Sequence, residues 1–181
     1  MKDKKAVQRI AVLSMLLALA LIFGWIEHLV PIAVPGVKLG LANITVLFAL
    51  YALDMRSAFV LSCAKVVLSS MLFGGISGLL YSAAGALISF AVMAAAKYGT
   101  DKLSAVGVSA LGGAAHVAAQ LFVAALITEQ LALWRMLAPL LVAGTVSGVL
   151  TGLVTVMVMQ RLGGIIKVIY NRKESMESGD E

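Results

Sequence analysis

Two residues in this chain stand out as able to do chemistry, Lys65 and His116, because both are ionisable and both sit well inside long apolar runs. A lysine near a bilayer centre costs about 2.5–3.5 kcal/mol even on lenient insertion scales, so it usually faces a cavity or a partner. Ser62 and Ser69 stand three residues before and four after Lys65, which puts the three on one helix face. His116 shares a face with Gln120, one turn further on, and with Ser109 and Gly113 behind it. Glu27, Lys38, Asn43 and Tyr81 extend the set in a graded series of depths. Lys38 and Glu27 are expected at the outer surface, with Asn43, Tyr81 and Gln120 below them and His116 and Lys65 at the midplane. Such a series describes a cavity that opens outward and ends near the membrane centre. On this reading Lys65 has no carboxylate at its own depth, and a buried ammonium either loses its proton or finds an anion. A solute carrying a carboxylate or phosphate would supply one. Plainer roles stand beside these: interfacial anchoring for Tyr81 and Lys38, and hydrogen bonding within the fold for Lys65 and His116.

Groups at such depths need membrane helices to hold them. Of 181 residues, 61% are hydrophobic and 13% charged, against about a quarter charged in soluble domains. The apolar runs between breakers predict six spans, Ile10–Val30, Leu39–Leu53, Ser57–Phe73, Ser77–Ala96, Ser104–Ile127 and Met136–Gln160. Asp54-Met55-Arg56 makes a tight turn between the second and third, and Gly74-Gly75-Ile76 another between the third and fourth. The predicted fold is therefore an all-α integral membrane protein of six transmembrane helices. It forms one domain over residues 1–166, followed by a partly disordered cytoplasmic tail, 167–181.

With six spans both termini share a side. Lys2, Lys4, Lys5, Arg9, Arg56, Lys97, Lys102, Arg161, Lys167, Arg172 and Lys173 gather there, against Lys38 and Arg135 opposite. The positive-inside rule makes that side the cytoplasm. It also accounts for the net charge of +5 without a nucleic-acid partner; the expected surroundings are the lipid bilayer.

Small residues divide into two sets. Gly144, Gly148 and Gly152 recur every fourth residue and lie on one face, fitted to helix–helix packing or to a docking partner. Ser14 and Ala18 repeat the spacing on the first span. A single cysteine, Cys63, excludes an internal disulfide and a thiolate metal cluster. No phosphate-binding loop or nucleophile elbow is present, and aspartates occur only at 3, 54, 101 and 180. No aspartate-rich diphosphate site and no metal site are therefore expected, and catalysis by this chain alone is not.

The runs "PGVKLGLANITVLFALY", "LLYSAAGALISFAVMAAAK" and "GVSALGGAAHVAAQLFVAALI" resemble the Gx transporter family, also described as heptaprenyl diphosphate synthase component I. That family is grouped with the substrate-binding S components of energy-coupling-factor importers. The resemblance implies an S-component-like six-helix fold in a bacterial cytoplasmic membrane, with an externally accessible pocket for a small anionic or amphipathic solute. It also implies a coupling membrane protein with ATPases as partner, met through small residues of the first helix, here Ser14-x-x-x-Ala18. Two further functions follow from the family's associations. One is a membrane subunit of a quinone- or flavin-linked electron-transfer system with a flavoprotein partner. The other is a non-catalytic partner of a prenyl diphosphate synthase. No cofactor is evident from the residues. The chain lacks a Ser-Gly-Ala-Thr flavin attachment run, so a quinone or flavin would be held without a covalent bond.

Overall fold

A computed structural model describes residues 2–29, 40–100 and 102–177. Six α-helices account for nearly all of them: α1 (Lys2–Leu29), α2 (Asn43–Ala52), α3 (Met55–Ser69), α4 (Gly75–Gly99), α5 (Ala105–Thr128) and α6 (Leu137–Glu177). A π-helical turn, Ser70–Gly74, joins α3 to α4, and a 3₁₀ turn, Leu131–Met136, precedes α6. Gly75 closes the π turn at φ +60, a conformation open mainly to glycine. The breaks lie close to the expected turns: one at Leu53–Asp54, with Met55 and Arg56 already in α3, and one at Gly75, where α4 begins.

Among the described residues, five stretches are long and apolar enough to cross a bilayer: Arg9–Leu29, Met55–Phe73, Gly78–Gly99, Ala105–Thr128 and Leu131–Arg161. The second expected span is the exception. Its helix has 10 residues, about 15 Å of rise against a hydrocarbon core of ~30 Å. Gly40 at φ +89 and the turn at Leu41–Ala42 take up what the sequence assigns to its first helical turn. At the other end of the chain, α6 stays helical past Gln160, through most of the segment expected to be a tail.

The helices are apolar outward and mixed inward, the reverse of a soluble bundle. Phe59, Val60, Val67 and Leu68 of α3 are exposed, while Ser57, Ser62, Lys65 and Ser69 of the same helix are buried. Such a surface is stable only against hydrocarbon, which is why the chain reads as a multi-pass membrane protein. Val46, Leu47, Ala49 and Leu50 of α2 form the centre of the main core, with Leu16, Leu61, Phe90, Met93 and Val108 packed round them.

Contacts fix the relative directions of the helices. Arg9 near the start of α1 pairs with Asp54 at the start of α3 and reaches Ser57 at 2.8 Å, so these helices run parallel. Lys97 at the end of α4 donates to the Leu50 carbonyl near the end of α2 at 2.5 Å. Gly152 of α6 faces Val106 at the start of α5, whereas Gly144 faces Val117 further along it, so α5 and α6 are antiparallel. Arg9, Asp54, Lys97 and the later part of α6 thus share one end of the bundle.

The glycines of α6 serve packing inside the bundle. A Cβ on Gly144 would lie 2.6 Å from Val117, on Gly148 2.5 Å from the Ser109 carbonyl, and on Gly152 2.7 Å from the Val106 Cα. Gly113 answers from α5, where a Cβ would stand 2.2 Å from the Gly144 carbonyl. Ser14 and Ala18, in contrast, are exposed on the outer face of α1.

Two outcomes follow. Gly113→Ala must force two backbones apart and lowers unfolding stability by roughly 1–3 kcal/mol; Gly78→Ala, with nothing within 4 Å of the new methyl, changes it by about 1 kcal/mol at most, towards greater stability. Thermal unfolding in micelles separates the two. The second concerns Asp54, whose carboxyl is held below the usual carboxylate range, chiefly by the Ser57 backbone N–H and also by Arg9. A depressed folded value means that its contribution is present at neutral pH and is lost as pH falls through that value. The melting-temperature gap between the wild type and Asp54→Ala therefore holds steady from neutral pH to about pH 5 and narrows below it, as pH falls through the unfolded carboxylate value of about 3.9 and on through the lower folded one.

Candidate functional site

The buried stripe of α1 runs Leu16, Ala20, Gly24, Glu27, at helical spacing. That register carries Glu27 inward, and it is 5% exposed rather than lying at the outer surface as expected. Its Oε1 accepts the backbone N–H of Gly40 and that of Leu41, the latter at 2.9 Å. Those are the leading amides of the turn into α2, so the carboxylate caps a helix start where negative charge is favoured. These N–H groups, which a helix start would otherwise present to an anion, are taken by a carboxylate of the chain itself.

One turn later, Asn43 opens α2 and is 6% exposed. Lys65, equally buried, donates from Nζ to the Asn43 Oδ1 at 2.6 Å. Gly24 and a Cβ of Ser69 approach closely enough to bring α1 against α3 at this level. Ser82 of α4 is 6% exposed, with its hydroxyl without a hydrogen-bond partner. These groups converge on a cavity of about 30 Å³ that His116 also lines. A space of that size holds a water or two, far less than the several hundred Å³ of a small-molecule pocket.

His116 is seated by two missing side chains. A Cβ on Gly85 would lie 2.8 Å from its Cε1 and 2.9 Å from Nδ1, and one on Gly40 would lie 3.6 Å from Cδ2. The imidazole therefore fills the gap between α4 and the turn before α2. Gln120 is fully buried one turn along, where its Cγ would stand 2.7 Å from the same Gly85 methyl. A second cavity, about 10 Å³, lies beyond Gly40 and Asn43 and is lined by Ser109 and Thr151.

Of the residues expected at the site, the structure brings Glu27, Asn43, Lys65 and His116 to one cavity, with Gln120 behind the histidine. Tyr81 is half-buried and does not line it; its neighbour Ser82 does. Lys38 lies outside the described residues. The premise that Lys65 lacks a carboxylate at its depth also changes, because Glu27 shares its cavity. Sequence reasoning overlooked Ser82 and Gly40. A face of small residues on α4, Ser82, Gly85, Ala86 and Ser89, was the available sign of the first. Among the described residues, no group of three or more His, Cys, Asp or Glu side chains could hold a metal ion.

Truncating Glu27 tests the cap. Glu27→Ala strands the buried Gly40 amide, at about 1–3 kcal/mol, and the part-buried Leu41 amide at less, whereas Glu27→Gln keeps a carbonyl acceptor and loses less in total. Denaturant unfolding in micelles should rank wild type above Glu27→Gln and Glu27→Gln above Glu27→Ala.

Comparison with known proteins bears on the same region. A family model described as heptaprenyl diphosphate synthase component I matches residues 16–158, from α1 well into α6. No curated protein and no solved structure matches the chain.

Proposed function

Because the chain belongs to the heptaprenyl diphosphate synthase component I family, we propose that it is a membrane-embedded binding protein of the S-component type. It takes a small anionic or amphipathic solute from the outer side of the membrane for uptake. The observation that carries this reading is the convergence of Glu27, Asn43, Lys65, Ser69, Ser82 and His116, drawn from five helices, on one buried cavity. Each of these groups must be desolvated to reach the cavity, a cost that apolar packing does not carry, and capping α2 accounts for Glu27 but not for Lys65 or His116.

The charges have a direction. Glu27 is committed to the start of α2, where the helix dipole offsets it. Lys65 is a cation that donates to the Asn43 carboxamide among its contacts. On this reading a carboxylate or phosphate of a solute binds beside Lys65, with Asn43, His116 and Ser82 lining the same cavity. Gln120 holds the histidine from behind. At about 30 Å³ the cavity is the closed form, and admitting a whole solute requires the helices around it to part. Uptake would be energised by a separate coupling protein with ATPases.

The family description supports a second reading, a non-catalytic membrane partner for a prenyl diphosphate synthase. One experiment separates the readings: purification in mild detergent, with mass spectrometry of both the bound small molecules and the retained proteins. A polar solute present in the wild type and reduced about tenfold in Lys65→Met, a loss of some 1.4 kcal/mol, supports solute binding. Full retention by that variant sinks the site. A bound quinone would point to the electron-transfer role instead, and a retained synthase subunit to the second reading.

A further inference from the structure

Away from the polar cavity, α1 and α6 scarcely touch, and the shorter α2 lies recessed between them. The cleft they leave measures about 380 Å³, walled by Val12 and Phe23 of α1 and Val154 and Val158 of α6, with Ile44 and Phe48 as its floor. Two threonines line it, and both turn their hydroxyls back into the protein. Thr45 donates to the Ala42 carbonyl at 3.0 Å and Thr155 to the Thr151 carbonyl at 2.8 Å. The occupant is therefore asked for no hydrogen bond.

Shape narrows the choice further. From Val12 to Phe23 the wall rises roughly 16 Å, about half the hydrocarbon core. Along that length the lining is apolar side chains apart from the two threonines, as one extended acyl chain requires.

Charge supplies the other end of the molecule. Arg9 lies one turn before Val12, and Arg161 one turn beyond Val158, both exposed. Arg9 is tied to Asp54, while Arg161 makes no ion pair among the described residues. Both stand at the basic end of the bundle, beside the cleft's mouth.

We propose that this cleft is a lipid site, holding one acyl chain of an anionic phospholipid whose phosphate rests beside Arg161. The site is independent of the polar cavity, so its test does not depend on any solute. Phe48→Trp makes the floor fluorescent once Trp25 and Trp134 are replaced by Phe, and Val146→Trp places the same reporter on the exposed face of α6. Each is reconstituted in phosphatidylcholine vesicles with rising fractions of phosphatidylglycerol carrying brominated chains. The Trp at 48 should be half quenched at about fivefold less brominated lipid than the Trp at 146, the effect of one favourable basic contact. Arg161→Gln should then remove that difference. Coincident curves for the two reporters would reduce the cleft to ordinary surrounding lipid and overturn the proposal. So would an unquenched Trp at 48 together with crosslinking of Met15→Cys to a second copy or another protein. Should Phe48→Trp not purify as a single species, Phe23→Trp reads the same cleft from its wall.

Discussion

Everything near the candidate site depends on satisfying the two ends of a ten-residue helix inside a membrane. Helix α2 is too short to carry its unpaired amides and carbonyls out to water, and hydrocarbon offers them no partner. The chain answers with one charge at each end. Glu27 from α1 receives the amides of Gly40 and Leu41, and Lys97 from α4 donates to the Leu50 carbonyl while lying over the Tyr51 ring at 4.6 Å. Both signs agree with the helix dipole, so the pair stabilises α2 and ties it to two neighbours. With α2 held, Asn43 is fixed at its first turn, and Asn43 in turn positions Lys65.

The same arrangement brings opposite charges to one small cavity: Glu27 accepts the Gly40 and Leu41 amides, and Lys65 donates to the Asn43 side chain. The glycine at φ +89 leaves room there for the imidazole. The site is thus partly a by-product of a folding problem: a capped helix start brings a charge, a turn and a carboxamide to the middle of the bundle. A lysine and a histidine from facing helices are what the cap does not require, and they carry the functional argument.

Much of this was legible in the chain as written. The apolar lengths, the Asp54 and Gly74–Gly75 turns and the small-residue seam of α6 depend on local pattern, and the helices follow them closely. Lys65 and His116 announce themselves because nothing else ionisable sits so deep in an apolar run. What local pattern lacked was direction. Glu27 ends a hydrophobic helix and so looks interfacial, yet the stripe from Leu16 through Gly24 turns it inward. Tyr81 and Ser82 are neighbours in the chain, and one residue of rotation, about 100°, decides which of them meets the cavity. The shortening of α2 was hidden as well, because its apolar run extends back through the turn that begins the helix.

The seam between α5 and α6 has a mechanical meaning. Where Gly113 meets Gly144 and Gly148, main chain rests on main chain, with no side chains between to change rotamer and take up a displacement. Such a junction has little room to shift, so α5 and α6 form one stiff pair that holds His116 in place. Helices α1, α2 and α3 meet instead through side chains, apolar ones in the main core and a few polar ones beside the cavity. Side chains can change rotamer where main chain cannot, so the protein is stiff on one side and more compliant on the other.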